Sequence, residues 1–204
     1  MTTALLVAPA RLLLIVLLPF VVLVRGAVWL DQRHQLPAWL ALVGAGLATL
    51  TLLTVYGAWI ARRLTGRARW RPVATWIVAP LVMSYCAYGV FYLSRANVKS
   101  DTVRSSYHDT HPVLRIALST LTLADPNAVV TDLARHPSDY PAMGLPVNPR
   151  SRHYAQGDGW VHAVDLRTAG RPAASWAMER YFRLMGFATL RHTGTADHLH
   201  VELP

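Results

Sequence analysis

The chain has 204 residues and a formal net charge of +9 at pH 7, a length that suits one or two domains. Residues 1–94 carry eight arginines and one acidic residue, whereas residues 95–204 carry twelve basic and ten acidic residues. The excess positive charge belongs to the N-terminal half, which argues against the basic surface of a folded nucleic-acid-binding domain. The single cysteine, Cys86, excludes an intrachain disulfide and a cysteine-based zinc site.

Three apolar segments in the N-terminal half predict transmembrane helices, since a span needs about 20 residues. Residues 37–60 and residues 73–93 contain no charged side chain. The first span, over about residues 5–25, includes Arg11, whose guanidinium must extend to the membrane interface. A cleaved signal peptide is the alternative for this first segment, but no clear cleavage site is present and further spans follow.

The arginines between the spans predict the orientation. Residues 61–72 hold five arginines, which the positive-inside rule assigns to the cytoplasm. Three spans then place the N-terminus on the cytoplasmic side of a bacterial inner membrane and residues 95–204 on its periplasmic side. The spans contain no central acid or histidine of the kind that marks a transport path, so we interpret residues 1–94 as an anchor.

Residues 95–204 have the composition of a polar, water-exposed domain. We predict a linker over 95–110 and an α+β domain with a small antiparallel sheet over 111–204. The H-x-x-H of "YHDTH" has a spacing that can bind a metal, but we interpret its histidines, His108 and His111, as part of the solvated polar linker. The predicted elements, in chain order, are a helix at 111–123, a strand at 127–134, a strand at 160–167, an amphipathic helix at 172–187 and a hairpin over 188–203.

Three short stretches of this domain carry candidate metal ligands. They are "SRHY" with His153, "HAVDL" with Asp165, and "DHLHVEL" with a cluster of polar residues. Two imidazoles and one carboxylate make a catalytic zinc set that leaves one position open. Strand alternation separates His162 from Asp165, because neighbouring odd and even positions point to opposite faces of a sheet.

The order of these stretches resembles the LAS metallopeptidases, more narrowly their D-alanyl-D-alanine carboxypeptidase side. The family pattern is S-x-H, then G-x-A-x-D, then a terminal strand with the last zinc histidine; this chain has "SRH" at 151–153, "VHAVDL" at 161–166 and "HLHVEL" at 198–203. The resemblance covers roughly residues 111–204. It departs from the family at two points. Eleven residues separate the histidine from the aspartate instead of six, which requires a longer loop, and Val161 replaces the motif glycine.

The resemblance implies a residue set for zinc chemistry. The implied zinc ligands are His153, Asp165 and His200. By the same resemblance, Asp197 is the general base, His198 is a second-shell or transition-state-stabilising group, and Arg135 holds a substrate carboxylate or carbonyl.

Some of these residues also have plainer interpretations. A surface ion pair with Asp132 or Asp139 is the alternative for Arg135. Ser151 and Asp158 are candidate partners of the ligands, although Asp158 lies between two glycines and also fits an ordinary turn.

The function implied by the resemblance is zinc-dependent hydrolysis of peptide bonds in peptidoglycan stems or crosslinks. Peptidoglycan is the natural substrate on the outer side of the membrane. The alternatives are an inactive zinc-binding domain that senses or binds cell-wall fragments, and an interaction module within an envelope complex.

Overall fold

The computed structural model describes residues 2–142, 144, 146–194 and 197–204, with side chains from residue 12 onward. It divides into two compact units, Met1–Ala87 and Tyr88–Pro204.

The first unit is helical. Its helices are α1 (Thr2–His34), α2 (Ala38–Thr65) and most of α3 (Trp70–Phe91), whose last four residues belong to the second unit. Helix α3 includes a π-helical turn at Ala74–Val78. All three are long and apolar enough to cross a membrane, as the sequence predicted. Gly66, with φ of 74°, ends α2 in a left-handed conformation that glycine adopts without a steric cost.

Helix α1 continues past residue 25, the predicted end of the first span, to His34. Among the residues whose side chains are described, the stretch suited to spanning is Leu12–His34. Arg25 does not end the helix because arginine has a high helix propensity, and its exposed side chain meets no packing conflict. The arginine-rich segment is also shorter as a loop, because α2 and α3 extend into it.

The second unit combines short helices with a sheet. After a 3₁₀ turn at Arg95–Asn97, the elements are α4 (Asp101–Ser105), a 3₁₀ turn at Ser106–Asp109, α5 (Pro112–Ala124), β1 (Val130–Asp132), α6 (Asp139–Ala142), β2 (Ala163–Arg167), α7 (Pro172–Met185), β3 (Ala188–His192) and β4 (His198–Glu202).

The expected linker over 95–110 is packed within this unit. The Asn97 side chain donates hydrogen bonds of 2.9 Å to the carbonyls of Pro126 and Ala128, and the Tyr107 hydroxyl donates to the carbonyl of Gly89. Composition marks the segment as polar, but it does not reveal these partners, which lie up to 31 residues away in the chain.

The described strands form a four-stranded antiparallel sheet in the order β1-β2-β4-β3. This confirms the predicted α+β class with a small antiparallel sheet. The two central strands pair so that Asp165 lies directly opposite His200. The neighbouring pairs Val164–Val201 and Leu166–Leu199 point to the other face, and all four of these side chains are buried.

The sheet therefore has an apolar face and a face that carries acids and histidines. Helix α7 contacts β3 and β4, and the Tyr181 hydroxyl on α7 donates a 2.9 Å hydrogen bond to the carbonyl of Ala117 on α5. Buried apolar side chains hold this arrangement by the hydrophobic effect. They leave the polar face available for a site.

Candidate metal centre

His153, Asp165 and His200 lie together on the polar face of the sheet. Asp165 and His200 are register partners on the two central strands, and His153 comes from the turn that follows Ser151. One possible ligand atom from each residue lies within 4.8 Å of the other two. The structure thus brings together the three residues that the sequence indicated as a metal set.

Two of the three distances between the candidate ligand atoms match those of a zinc site. His153 Nε2 lies 3.3 Å from both His200 Nδ1 and Asp165 Oδ1, and the last two atoms are 2.8 Å apart. Tetrahedral zinc with bonds of about 2.0–2.2 Å sets its ligand atoms about 3.3–3.6 Å apart. A small tetrahedral cation therefore fits with a shift of the aspartate oxygen by a few tenths of an ångström.

The backbone fixes the orientation of His153. Its Nδ1 contacts the carbonyl oxygen of Leu133, and its own carbonyl accepts a 2.9 Å hydrogen bond from the amide of Arg135. Because a carbonyl can only accept, Nδ1 carries the proton and Nε2 presents a lone pair to the cluster formed by His153, Asp165 and His200. The side chain is 2% exposed, and the Ser151 hydroxyl accepts from its amide at 3.3 Å. Ser151 is thus a partner of this ligand, acting through the backbone.

Glu202 fixes the orientation of the His200 ring. The two residues share a face of β4, and Glu202 Oε2 lies 3.3 Å from His200 Nε2. Because a carboxylate accepts, Nε2 carries a proton and Nδ1 is the nitrogen that faces the cluster. Sequence reasoning missed Glu202, although its position two residues after His200 on a strand is a sufficient signal.

The result is an arrangement in which three electron-rich atoms face one another. Two imidazole lone pairs and a carboxylate oxygen repel unless a cation lies between them. Without a metal, the positive charge comes from a proton on His200 Nδ1, which donates a hydrogen bond to Asp165. Burial disfavours the charged ring, but the hydrogen bond and negative charge of Asp165, with help from Glu202, raise the pKa of His200 above its ordinary value.

Asp165 is the anionic centre of the cluster. Its side chain is only 4% exposed, and burial alone would raise its pKa. Interactions with His153 and His200 and the charge of Arg135 outweigh burial and hold the pKa of Asp165 far below its usual range. Arg135 Nη2 donates at 2.6 Å to Oδ2, so Oδ1 is the oxygen left for a metal.

Arg135 is held by acids on two sides, since its Nε also donates to Asp132. The ion pair with Asp132 was the plainer interpretation of this arginine, and that contact is present. The second contact, to Asp165, makes it a positioning residue for a candidate ligand. Whether it also binds substrate stays a prediction.

Asp197, the predicted general base, is engaged in an ion pair. Its carboxylate accepts from Arg191 Nε at 2.9 Å, from Arg191 Nη2 at 3.1 Å and from the Thr168 hydroxyl at 2.7 Å. The hydrogen bonds from Arg191 and Thr168 lower the pKa of Asp197. A carboxylate of lower pKa is a weaker base, so this pair has to open before Asp197 accepts a proton efficiently.

His198 lies beside the cluster without joining it. Its Nε2 is 3.7 Å from Asp165 Oδ2, and its ring stacks on His192 with centroids 4.6 Å apart. It shares the polar face with His200, as strand alternation predicts. Its predicted role near a transition state remains a prediction, and His192 is a neighbour that sequence reasoning did not single out.

The extra residues between His153 and Asp165 form an exposed loop, as the longer spacing requires. A single antiparallel bridge joins Ala155 to Val161, and the Gln156 amide donates to the carbonyl of Trp160 at 2.8 Å. Gly159 turns the chain with φ of 85°. The insertion therefore does not displace the ligands on either side of it.

A second group of possible ligands, His111, Asp158 and His162, lies at the other end of this loop. His162 is separate from Asp165, as predicted. The carboxylate of Asp158 is 2.9 Å from His162 Nε2 and 3.7 Å from His111 Nε2, and it also caps its own turn by accepting from the amide of Trp160.

The proton positions distinguish the two groups. His111 Nδ1 accepts from the Val113 amide at 3.3 Å, so a neutral His111 carries its proton on Nε2, the nitrogen nearest Asp158. His162 Nε2 also donates to this carboxylate. Burial lowers the pKa of His162. With these tautomers the carboxylate of Asp158 faces two N–H groups, whereas the carboxylate of Asp165 faces two imidazole lone pairs unless His200 takes up a further proton.

Comparison with family models, curated proteins and solved structures found no match to this chain. The LAS metallopeptidases are therefore a resemblance in motif order, and the geometry of the site carries the functional inference.

Proposed function

We propose that the C-terminal unit binds a zinc ion through His153 Nε2, Asp165 Oδ1 and His200 Nδ1. The observation that carries this proposal is the convergence of two imidazole lone pairs on a buried carboxylate. Each lone pair is fixed by a separate acceptor, Leu133 or Glu202. Such partners set the tautomer of histidine ligands and raise their basicity.

We further propose that this site hydrolyses peptide bonds in peptidoglycan stems or crosslinks. A bound zinc ion polarises a carbonyl and acidifies water. Three protein ligands leave a coordination position open, which is the pattern of catalytic sites. In this proposal Asp197 accepts a proton once its pair with Arg191 opens, and His198 stabilises charge on the substrate. The order of the "SRH", "AVD" and "DHLH" motifs supports the peptidase class.

A specific observation favours a second candidate, a zinc-binding domain that binds cell-wall fragments without cleaving them. The carboxylate of Asp197 already accepts hydrogen bonds from the Thr168 hydroxyl and from Nε and Nη2 of Arg191. If that arrangement persists with zinc bound, the predicted base is not available.

Metal content tests the first step. The full-length protein, purified in detergent and loaded with zinc, is expected to hold one equivalent. His153→Ala and His200→Ala should each abolish stoichiometric binding. His162→Ala is the matched control, since it removes a histidine from the second group. Full zinc content in both ligand variants, or equal loss in the control, would exclude this site.

Turnover of purified muropeptides separates the two functions. The peptidase proposal expects zinc-dependent release of a shortened stem peptide, with about a 100-fold or greater loss in Asp197→Asn if that residue is the base. Saturable binding without any cleavage by the zinc-loaded wild type would support the binding domain and reject the enzyme.

A further inference from the structure

An apolar groove lies among the three helices of the first unit. It has a volume of about 730 Å³, and its walls include Phe20 from α1, Leu53 and Leu64 from α2, and Ile77 from α3. Its volume lies within the range of about 300–1,000 Å³ typical of ligand pockets. A site of this size in a membrane-spanning unit accepts an organic chain. Water inside it would make few hydrogen bonds with the apolar walls.

Few polar groups line the groove. The hydroxyl of Thr49 donates to the carbonyl of Ala45 at 2.8 Å, and that of Thr65 donates to Ala61 at 2.8 Å. The other side-chain hydroxyls on its wall belong to Tyr56 and Tyr85. A polar ligand would lose most of its hydration here and find few hydrogen-bonding partners. The ligand portion inside the groove is therefore a hydrocarbon chain.

One end of the groove lies beside a concentration of positive charge. The last turns of α2 contribute Ile60, Ala61 and Leu64 to its wall, and Arg62 and Arg63 occupy the same turns. Three further arginines follow within eight residues, and all five are exposed. They are Arg62, Arg63, Arg67, Arg69 and Arg71.

These arginines have no acid nearby in the chain. Residues 37–94 contain no aspartate or glutamate. Across residues 2–142, 144, 146–194 and 197–204, the structure describes no ion pair for any of the five. Arg63 instead lies over the ring of Trp59, 5.5 Å from its centroid. A cluster of unneutralised guanidinium groups at a membrane surface attracts phosphate.

We propose that the groove binds one acyl chain of an anionic phospholipid, whose headgroup phosphate is held by the arginines that follow Ile60. Both parts of the ligand are needed. Free phosphate has no chain to fill the groove, and a zwitterionic lipid brings no net charge to the arginines. This binding site is independent of the metal centre and of the function proposed for it.

Native mass spectrometry of the full chain in detergent tests the proposal directly. The probes are dioleoyl phosphatidylglycerol and dioleoyl phosphatidylcholine, which share acyl chains and differ in headgroup charge. Tighter binding of the first lipid is expected. Arg62→Gln with Arg63→Gln should weaken it by roughly 25-fold, since each arginine near an anionic headgroup contributes about five-fold.

The matched control is Arg25→Gln with Arg33→Gln, which removes the same charge from α1 away from the last turns of α2. This control is expected to bind phosphatidylglycerol like the wild type. Equal affinity for the two lipids, or equal loss in the two double variants, would overturn the proposal and indicate only non-specific surrounding lipid.

A groove variant tests the position of the acyl chain. Ala61→Phe places a larger side chain in the wall, and circular dichroism checks that helix content is retained. It should weaken binding of both lipids. Undiminished binding of phosphatidylglycerol, or complete competition by millimolar inorganic phosphate, would show that the arginines bind phosphate alone and would reject the lipid site.

Discussion

At the scale of single residues, the metal centre depends on side chains that orient the ligands as much as on the ligands. Asp165 and both histidines have one fixed partner on the side away from the cluster. Each partner removes a rotation or a tautomer that would direct the ligand atom elsewhere. The affinity of the site should therefore respond to residues that never touch the metal.

Glu202→Ala tests this at His200. Loss of the carboxylate frees the ring to rotate and to carry its proton on Nδ1, so zinc affinity is expected to fall about 10–100-fold. Competition with a chromophoric chelator measures the affinity. Glu179→Ala removes an acid paired with Arg183 on α7 and serves as the control. Equal affinities for wild type and Glu202→Ala would contradict the orienting role.

The protonation of His200 predicts how zinc changes stability with pH. Its raised pKa gives the metal-free protein a contribution to stability that is present below the unfolded pKa of about 6.5 and is lost as pH rises through the folded pKa. Zinc competes with the same proton, so its affinity rises over that window. The zinc-induced increase in melting temperature should be larger at pH 8 than at pH 6. An increase that is equal or smaller at pH 8 would contradict proton–metal competition.

At the scale of elements, helix α5 has an unusual core residue. Arg115 is 2% exposed, and its guanidinium donates to the carbonyls of Thr110, Val90 and His108. Burial lowers the pKa of Arg115, while the Tyr107 and Asp109 side chains oppose that shift. The charge is thus dispersed over three backbone acceptors that connect α5 to the preceding segment.

Arg115→Ala should remove all three hydrogen bonds and leave buried carbonyls without donors. The free energy of unfolding of the second unit is expected to fall by about 3 kcal/mol or more. Denaturant titration of the full chain measures it. Arg180→Ala on the exposed side of α7 is the control and should change stability by less than about 0.5 kcal/mol. A loss of similar size in both variants would argue against a special role for Arg115.

Local residue patterns predicted several of the elements but not the contacts between them. Helical spacing predicted α5 and α7, and alternation predicted β2, the β3–β4 hairpin and the separation of His162 from Asp165, because these features depend on residues a few positions apart. The partners Leu133 and Arg191, the buried Arg115 and the cluster of His111 with Asp158 were not predicted. They depend on contacts across many residues or on whole-sheet packing, which periodicity does not contain.

At the scale of the whole molecule, an apolar helical unit precedes a unit with a polar site. Three helices suited to spanning a membrane and an arginine-rich connection between α2 and α3 predict that the second unit faces the periplasm. The proposed cell-wall substrate requires that side of the membrane. The proposed function therefore requires the predicted orientation, and a test of the orientation also tests the proposed substrate.

Reporter fusions after Pro204 test the orientation in bacterial cells. Alkaline phosphatase, which is active only when exported, should be active there, and green fluorescent protein should be dark. Replacing all five arginines of the 61–72 segment by glutamine should reduce or reverse this pattern. Bright fluorescence from the wild-type fusion would contradict the periplasmic assignment and with it the proposed substrate.

The position of β4 between β2 and β3 has a consequence for biosynthesis. His153 and Asp165 leave the ribosome well before His200, and β2 has no neighbour on one side until the last strand inserts. If the site binds zinc as proposed, metal competence is acquired late, when the sheet closes. A nascent domain that has not reached this stage holds only two of the three proposed ligands and presents an open strand edge to chaperones. Completion of the sheet and binding of zinc are then expected to coincide.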